Sequence, residues 1–115
     1  MYEKIIIISI LFLIIFICFL NQKVEIIYFF NDGCIIVNDT NNILSLAEKE
    51  FQDKILIKKI DPFNPKDDEK TLIEKYNVKG VPTIIINGKE YIYDYNYTNF
   101  KLEICKNFVI KPAVC

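Results

Sequence analysis

Cysteine offers this 115-residue chain most of its chemistry, because histidine is absent altogether. That absence removes Cys-His and Ser-His nucleophilic pairs, mixed Cys and His zinc sites, and any imidazole general base. Carboxylate, lysine, tyrosine and cysteine chemistry remain. The four cysteines are Cys18, Cys34, Cys105 and Cys115. Their spacing contains no close pair of the zinc-binding kind, and a four-thiolate site would have to recruit Cys18 from a terminal apolar run, so no metal and no other cofactor is expected.

Cys34 stands in "NDGCIIVNDT" (31–40), directly after the apolar run "VEIIYFF" (24–30). This is a corner at which a strand ends and a helix begins. A helix amino terminus offers unpaired amide donors and a partial positive charge, both of which favour the thiolate, the reactive form of cysteine. Gly33 supplies the backbone freedom to turn into that position. Cys34 is therefore placed to attack a disulfide. Cys105 and Cys115 form a different kind of pair: "KNFVIKPAVC" (106–115) can turn back at Pro112 and bring the last residue against Cys105. Outside the cytosol such a pair is a structural disulfide, and its loop of about ten residues would stabilise the fold by roughly 2 to 3 kcal/mol. The alternative is that Cys115, on a flexible tail, serves Cys34 as a resolving thiol.

The elements that must hold these cysteines can be read from periodicity. "VEIIYFF" and "KILIKKI" (54–60) are short β-branched and aromatic runs, hence strands. Between them Ile36, Ile43, Leu44, Ala47 and Phe51 approximate helical spacing, although "NDTNN" (38–42) is poor helix material and could kink the first turns. "PKDDEKTLIEKYN" (65–77) opens with proline and acids and carries Leu72, Ile73 and Tyr76 on one side, the pattern of a capped amphipathic helix. "TIIIN" (83–87) and "EYIYDY" (90–95) read as strands joined through Asn87 and Gly88, the dipeptide most suited to a two-residue hairpin. A last helix is expected over 98–108, with Leu102, Cys105 and Val109 on one stripe. If the preceding strand runs unbroken, Tyr91, Tyr93, Tyr95 and Tyr97 share one face. They would then pack beneath a helix, or less simply form a peptide or bilayer contact. The order β-α-β-α-β-β-α gives an α/β domain with a four-stranded mixed sheet flanked by helices.

Residues 5–20, "IIIISILFLIIFICFL", are apolar apart from Ser9. The run is slightly short for a spanning helix, which needs roughly 17 to 25 residues, and slightly long for a secretory signal core of about 7 to 15. The bulky residues Ile15, Ile17, Phe19 and Leu20 suit no cleavage site, so an uncleaved transmembrane anchor over residues 1–22 is preferred to a removed signal, with the domain proper at 23–115. The amino-terminal amine and Lys4 outweigh Glu3, which favours an extracytoplasmic domain. Net charge is -1 and no block of like charges occurs, so no nucleic-acid partner is expected.

The strand order, the corner cysteine and "YNVKGVPTIIINGK" (76–89) together resemble the thioredoxin-like superfamily. The resemblance spans about residues 23–108 and includes "ILSLAEKEFQDKILIKKID" (43–61), which looks like the family's first helix and following strand. It implies that Cys34 occupies the nucleophile position. It also implies that Pro82 is a cis-proline lying against that cysteine, with the backbone of Val81 beside the sulfur, able to bond an extended substrate as an added strand. The family's Cys-x-x-Cys is here Cys34, Ile35, Ile36, Val37, so the local resolving thiol is missing, and Tyr28 stands where thioredoxins carry a buried acid.

Three readings of Cys34 follow. It is a monothiol nucleophile whose mixed disulfides with protein thiols are released by an outside thiol or by a partner supplying the missing one. Or it is half of an oxidised pair with a distant cysteine. Or it is an inert, packed residue in a catalytically inactive module that binds extended peptides or a partner protein. The expectation carried forward is a membrane-anchored thioredoxin-like protein exchanging thiols and disulfides through Cys34, with the binding module as its alternative.

Overall fold

The computed structural model describes residues 1–33, 37–92 and 94–115, with Val37 described by its backbone alone. The elements are α1 (Tyr2–Leu20), β1 (Val24–Phe29), α2 (Val37–Phe51), β2 (Ile55–Ile60), α3 (Asp67–Lys75), β3 (Thr83–Ile86), β4 (Lys89–Tyr91) and α4 (Tyr97–Lys106), with a 3-10 turn at Gln52–Lys54 before β2.

The strands form one sheet in the order β2-β1-β3-β4, with β1 parallel to β2, antiparallel to β3, and β3 antiparallel to β4. β1 lies inside the sheet with helices over both faces, which is why its sequence is a nearly continuous apolar run. Its side chains alternate: Val24, Ile26 and Tyr28 enter one core, while Ile27 and Phe29 enter another. The larger core is closed by α2 through Ile43, Leu44, Ala47 and Phe51, and by α4 through Phe100, Ile104 and Cys105. Two ring pairs knit it together, Tyr91 against the edge of Phe100 at 5.3 Å and Phe51 stacked on Phe108 at 6.3 Å. The smaller core joins Ile60 and Ile85 to Leu72, Ile73 and Tyr76 from the α3 side.

Local chemistry explains most of the boundaries. At the hairpin Asn87 and Gly88 both take positive φ, 46° and 85°, the pairing that matches strand twist and that only asparagine, aspartate and glycine adopt cheaply. α3 begins two residues later than the sequence suggested: Pro65 precedes the N-cap, Lys66, whose amide donates to Glu69 Oε1 at 3.0 Å. The "NDTNN" stretch does not break α2, because Thr40 turns inward in phase with Ile43 and Leu44 and is fully buried. Here packing of the inward face overrides weak propensity.

Two expectations fail. β4 stops at Tyr91, so the tyrosines share no strand face: Tyr91 is buried, Tyr95 is exposed, Tyr97 starts α4, and Tyr93 lies outside the described residues. The chain leaves the sheet because Asp94 and Asn96 prefer local bonds. Asp94 Oδ1 accepts from the Asn96 amide at 3.2 Å, and Asn96 Oδ1 caps α4 through the Thr98 amide at 2.9 Å. The inward stripe of α4 is also out of phase with the expected one. Leu102 and Val109 are exposed, and Phe100 and Ile104 flank Cys105 instead.

α1 contributes nothing to either core. None of its residues is buried, and it is long and apolar enough to cross a membrane, although a signal sequence meets the same criterion.

Candidate functional site

The carboxyl end of β1 and the amino end of β3 meet at one end of the sheet. Phe29 pairs with Thr83, and the Phe30 amide donates to the Ile60 carbonyl at 3.0 Å, which carries the chain one step past the strand. The turn that follows is built by Asn31, whose Oδ1 accepts from the Gly33 amide at 2.9 Å. A Cβ on Gly33 would lie 3.1 Å from that same oxygen, so the turn is tightest with glycine there. Cys34, the expected nucleophile, lies outside the described residues, and α2 is described from Val37.

Opposite this turn, Val81 and Pro82 lead into β3. The peptide between them is cis, and Thr83 Oγ1 donates to the Gly80 carbonyl at 2.7 Å, closing the loop in front of the strand. Val81 packs on the smaller core, and both residues are half-buried. The antiparallel ladder ends at the Phe29 and Thr83 pair, and Pro82 directly precedes Thr83 at that end of the sheet. Tyr28, at the position where the resemblance places an acid, is fully buried and stacks on Phe30 at 5.4 Å, so an aromatic ring occupies that position.

The opposite end of the sheet holds the apolar helix. Between α1 and β1, Gln22 grips the carboxyl end of α4: its Nε2 donates to the Asn107 carbonyl at 3.0 Å, and its Oε1 accepts from the Val109 amide at 2.8 Å. Lys54 Nζ reaches the Leu20 carbonyl at 3.4 Å. Nothing in the sequence marks Gln22 for this task.

Cys105 and Cys115 are joined, with Cα atoms 5.9 Å apart and ten positions of separation. Cys105 is 6 % exposed and Cys115 is exposed. A groove of about 370 Å³ opens over this bond, with Lys101, Lys106, Lys111 and Leu102 among its walls. Cys18 is exposed on α1 with a free thiol.

A polar cluster that sequence reasoning missed ties α2 to α4. Glu50 accepts from the Tyr97 hydroxyl at 2.8 Å and from Lys101 Nζ. The lysine bond first, then the tyrosine bond, hold the Glu50 carboxyl below its usual range, while burial and the Glu50 carboxylate push the Tyr97 phenol up. Glu50 and Lys101 lie 51 positions apart, so no sequence spacing could have revealed them.

No protein-family model matches the chain, and no curated protein matches it. Solved structures do. A thioredoxin variant from Halobacterium salinarum is 23% identical, with a TM-score of 0.58 over 79% of this chain and 80% of that one. Thioredoxin-2 of a malaria parasite, described as a component of the parasite's protein secretion machinery, is also 23% identical at a TM-score of 0.58, over 75% and 84%. The germline-specific thioredoxin Deadhead of Drosophila melanogaster is 16% identical, with a TM-score of 0.57 over 76% and 83%. The fold is thioredoxin-like.

Proposed function

We propose that this chain is a membrane-anchored thioredoxin-like protein that carries out thiol-disulfide exchange through Cys34 as a monothiol. The observation that supports this reading is the register of β1 and β3. Phe29, five residues before Cys34, pairs with Thr83, which directly follows Val81 and Pro82. An extended substrate backbone would dock along Val81 and Pro82. The Cys34 thiolate attacks one sulfur of the substrate's disulfide, a mixed disulfide forms, and the substrate's second sulfur leaves as a thiolate. With Val37 where a resolving cysteine would stand, release falls to an outside thiol or to one supplied by a partner protein. The helix Tyr2–Leu20 holds residues 23–115 at the membrane, on the extracytoplasmic side.

The test uses the full chain in detergent, carrying Cys18→Ser so that Cys34 is the one remaining unpaired thiol. Cys34 is expected to alkylate in the native state, and Cys34→Ser is expected to abolish reduction of insulin disulfides. If Cys34 resists alkylation and the substitution leaves insulin reduction unchanged, the exchange reading is lost. The second reading, a redox-silent module holding an extended peptide in the same groove, is favoured by Val37 and by the buried ring of Tyr28, since both replace groups that exchange chemistry uses.

A further inference from the structure

We propose that Asn96 is an N-glycosylation site, the acceptor of an oligosaccharide delivered by a polyprenyl diphosphate donor. The acceptor pattern Asn-x-Thr occurs twice in the chain, as "NDT" (38–40) and "NYT" (96–98), and the fold treats the two copies differently. The first lies in α2, where Asn38 is exposed but Thr40 is fully buried. A transferase that must reach both the asparagine amide and the hydroxyl two residues on finds one of them closed off. In the second copy Asn96 and Thr98 are both exposed, at the turn into α4. Tyr97 between them is half-buried and tied to α2, its hydroxyl donating to Glu50 at 2.8 Å. The middle residue is thus held inward, and the two that the transferase reads stay at the surface.

The atoms of Asn96 are divided as the modification requires. Its Oδ1 caps α4, accepting from the Thr98 amide at 2.9 Å and from the Asn99 amide at 3.4 Å. Its Nδ2 makes no hydrogen bond among the described residues, and neither does the Thr98 hydroxyl. The nearby Asp94 carboxylate is engaged elsewhere, accepting from Asn99 Nδ2 at 3.1 Å and from the Asn96 backbone amide at 3.2 Å. Glycosylation takes place at Nδ2 and leaves the side-chain carbonyl an acceptor, so the sugar can be carried without loss of the helix cap. In the transfer, Nδ2 attacks the anomeric carbon of the donor's first sugar. A carbon-nitrogen bond forms, the carbon-oxygen bond to the diphosphate breaks, and the polyprenyl diphosphate leaves with the electron pair. Nδ2 gives up one proton to a base of the transferase, and nothing is oxidised or reduced.

Asn96 meets such a transferase only outside the cytosol, so the assignment rests on the extracytoplasmic reading of residues 23–115, and the experiment separates the two. The full chain is translated in the presence of endoplasmic reticulum microsomes. Protection from added protease reports the side on which the domain lies, and a band shift removed by peptide N-glycosidase reports the sugar. The expected result is a protected chain with a single shift, lost in Asn96→Gln and in Thr98→Val and kept in Asn38→Gln and in Thr98→Ser. Thr98→Val retains the backbone amide that Asn96 caps, so its loss of the shift reports the missing hydroxyl and not a missing cap. A protected chain with no shift, or any shift that Asn38→Gln removes, would overturn the assignment alone. Degradation of the domain by the protease would overturn the extracytoplasmic reading and the assignment with it.

Discussion

Replacing both Cys105 and Cys115 by alanine should lower stability by an amount set by the loop they close. Their separation is ten positions, and the chain-entropy relation for a loop of that size gives about 2.7 kcal/mol at 25 °C. Packing should add little, because Cys115 is exposed and a buried cysteine behaves as a small hydrophobe that alanine nearly replaces. For a domain of under 100 residues each kcal/mol corresponds to roughly 4 to 8 °C in melting temperature, so the loss should be about 10 to 20 °C. The assay is thermal unfolding followed by circular dichroism in the same detergent for both proteins, with and without a reductant. The unsubstituted chain in reductant should fall to the melting temperature of the double variant, and the variant should not respond to reductant. A drop under 3 °C, or a variant that still responds, would refute the assignment of this stability to loop closure.

Phe100→Ala should cost about 3 to 5 kcal/mol, since the ring is fully buried in the larger core and meets Tyr91 edge-on, and chemical denaturation would measure it. The Glu50 carboxyl, held below its usual range by Lys101 and Tyr97, contributes stability that is present above its unfolded value near 4.5 and lost as pH falls through its folded value. Glu50→Gln should therefore flatten the acid limb of a stability profile between pH 5 and 2, an outcome read by denaturant midpoints across that interval.

The fold was largely legible in the sequence because its punctuation is strong. The Asn87 and Gly88 pair enforces its hairpin through two positive φ angles, and the short β-branched runs of β1 and β3 read as strands, which the sheet buries. Of the two roles the sequence left open for Cys115, partner of Cys105 or resolving thiol for Cys34, the structure has the first, with the chain turning at Pro112. The tyrosine alternation misled because side-chain periodicity says nothing about where a backbone leaves the sheet. Asp94 and Asn96 decide that with bonds of their own, and Tyr91 donates its hydroxyl to the Asp94 carbonyl at 2.8 Å, folding the turn back on the strand. The stripe of α4 was misphased because Leu102 and Val109 are as apolar as Phe100 and Ile104, and only the bulk of the larger core selects between the two sets. At the candidate site, the pairing of Thr83, next to Pro82, with Phe29 of β1 emerged from the fold, whereas the Gln22 grip and the Glu50 cluster rest on contacts between residues far apart in sequence. Cys34 itself was legible only as a residue type at a corner.

The grip of Gln22 sets a fixed standoff. α1 ends at Leu20 and β1 begins at Val24, and of the three residues between them Gln22 is bonded to the chain at the carboxyl end of α4. From there β1 runs six residues, or about 20 Å at 3.3 Å per residue, before it reaches the turn at Asn31. The apolar helix and the cis peptide between Val81 and Pro82 therefore lie toward opposite ends of β1, separated by the length of a single strand. Under the proposed function an extended substrate meets Val81 and Pro82 at the end of the sheet away from the helix, and lengthening the connection after Leu20 would leave that separation unchanged.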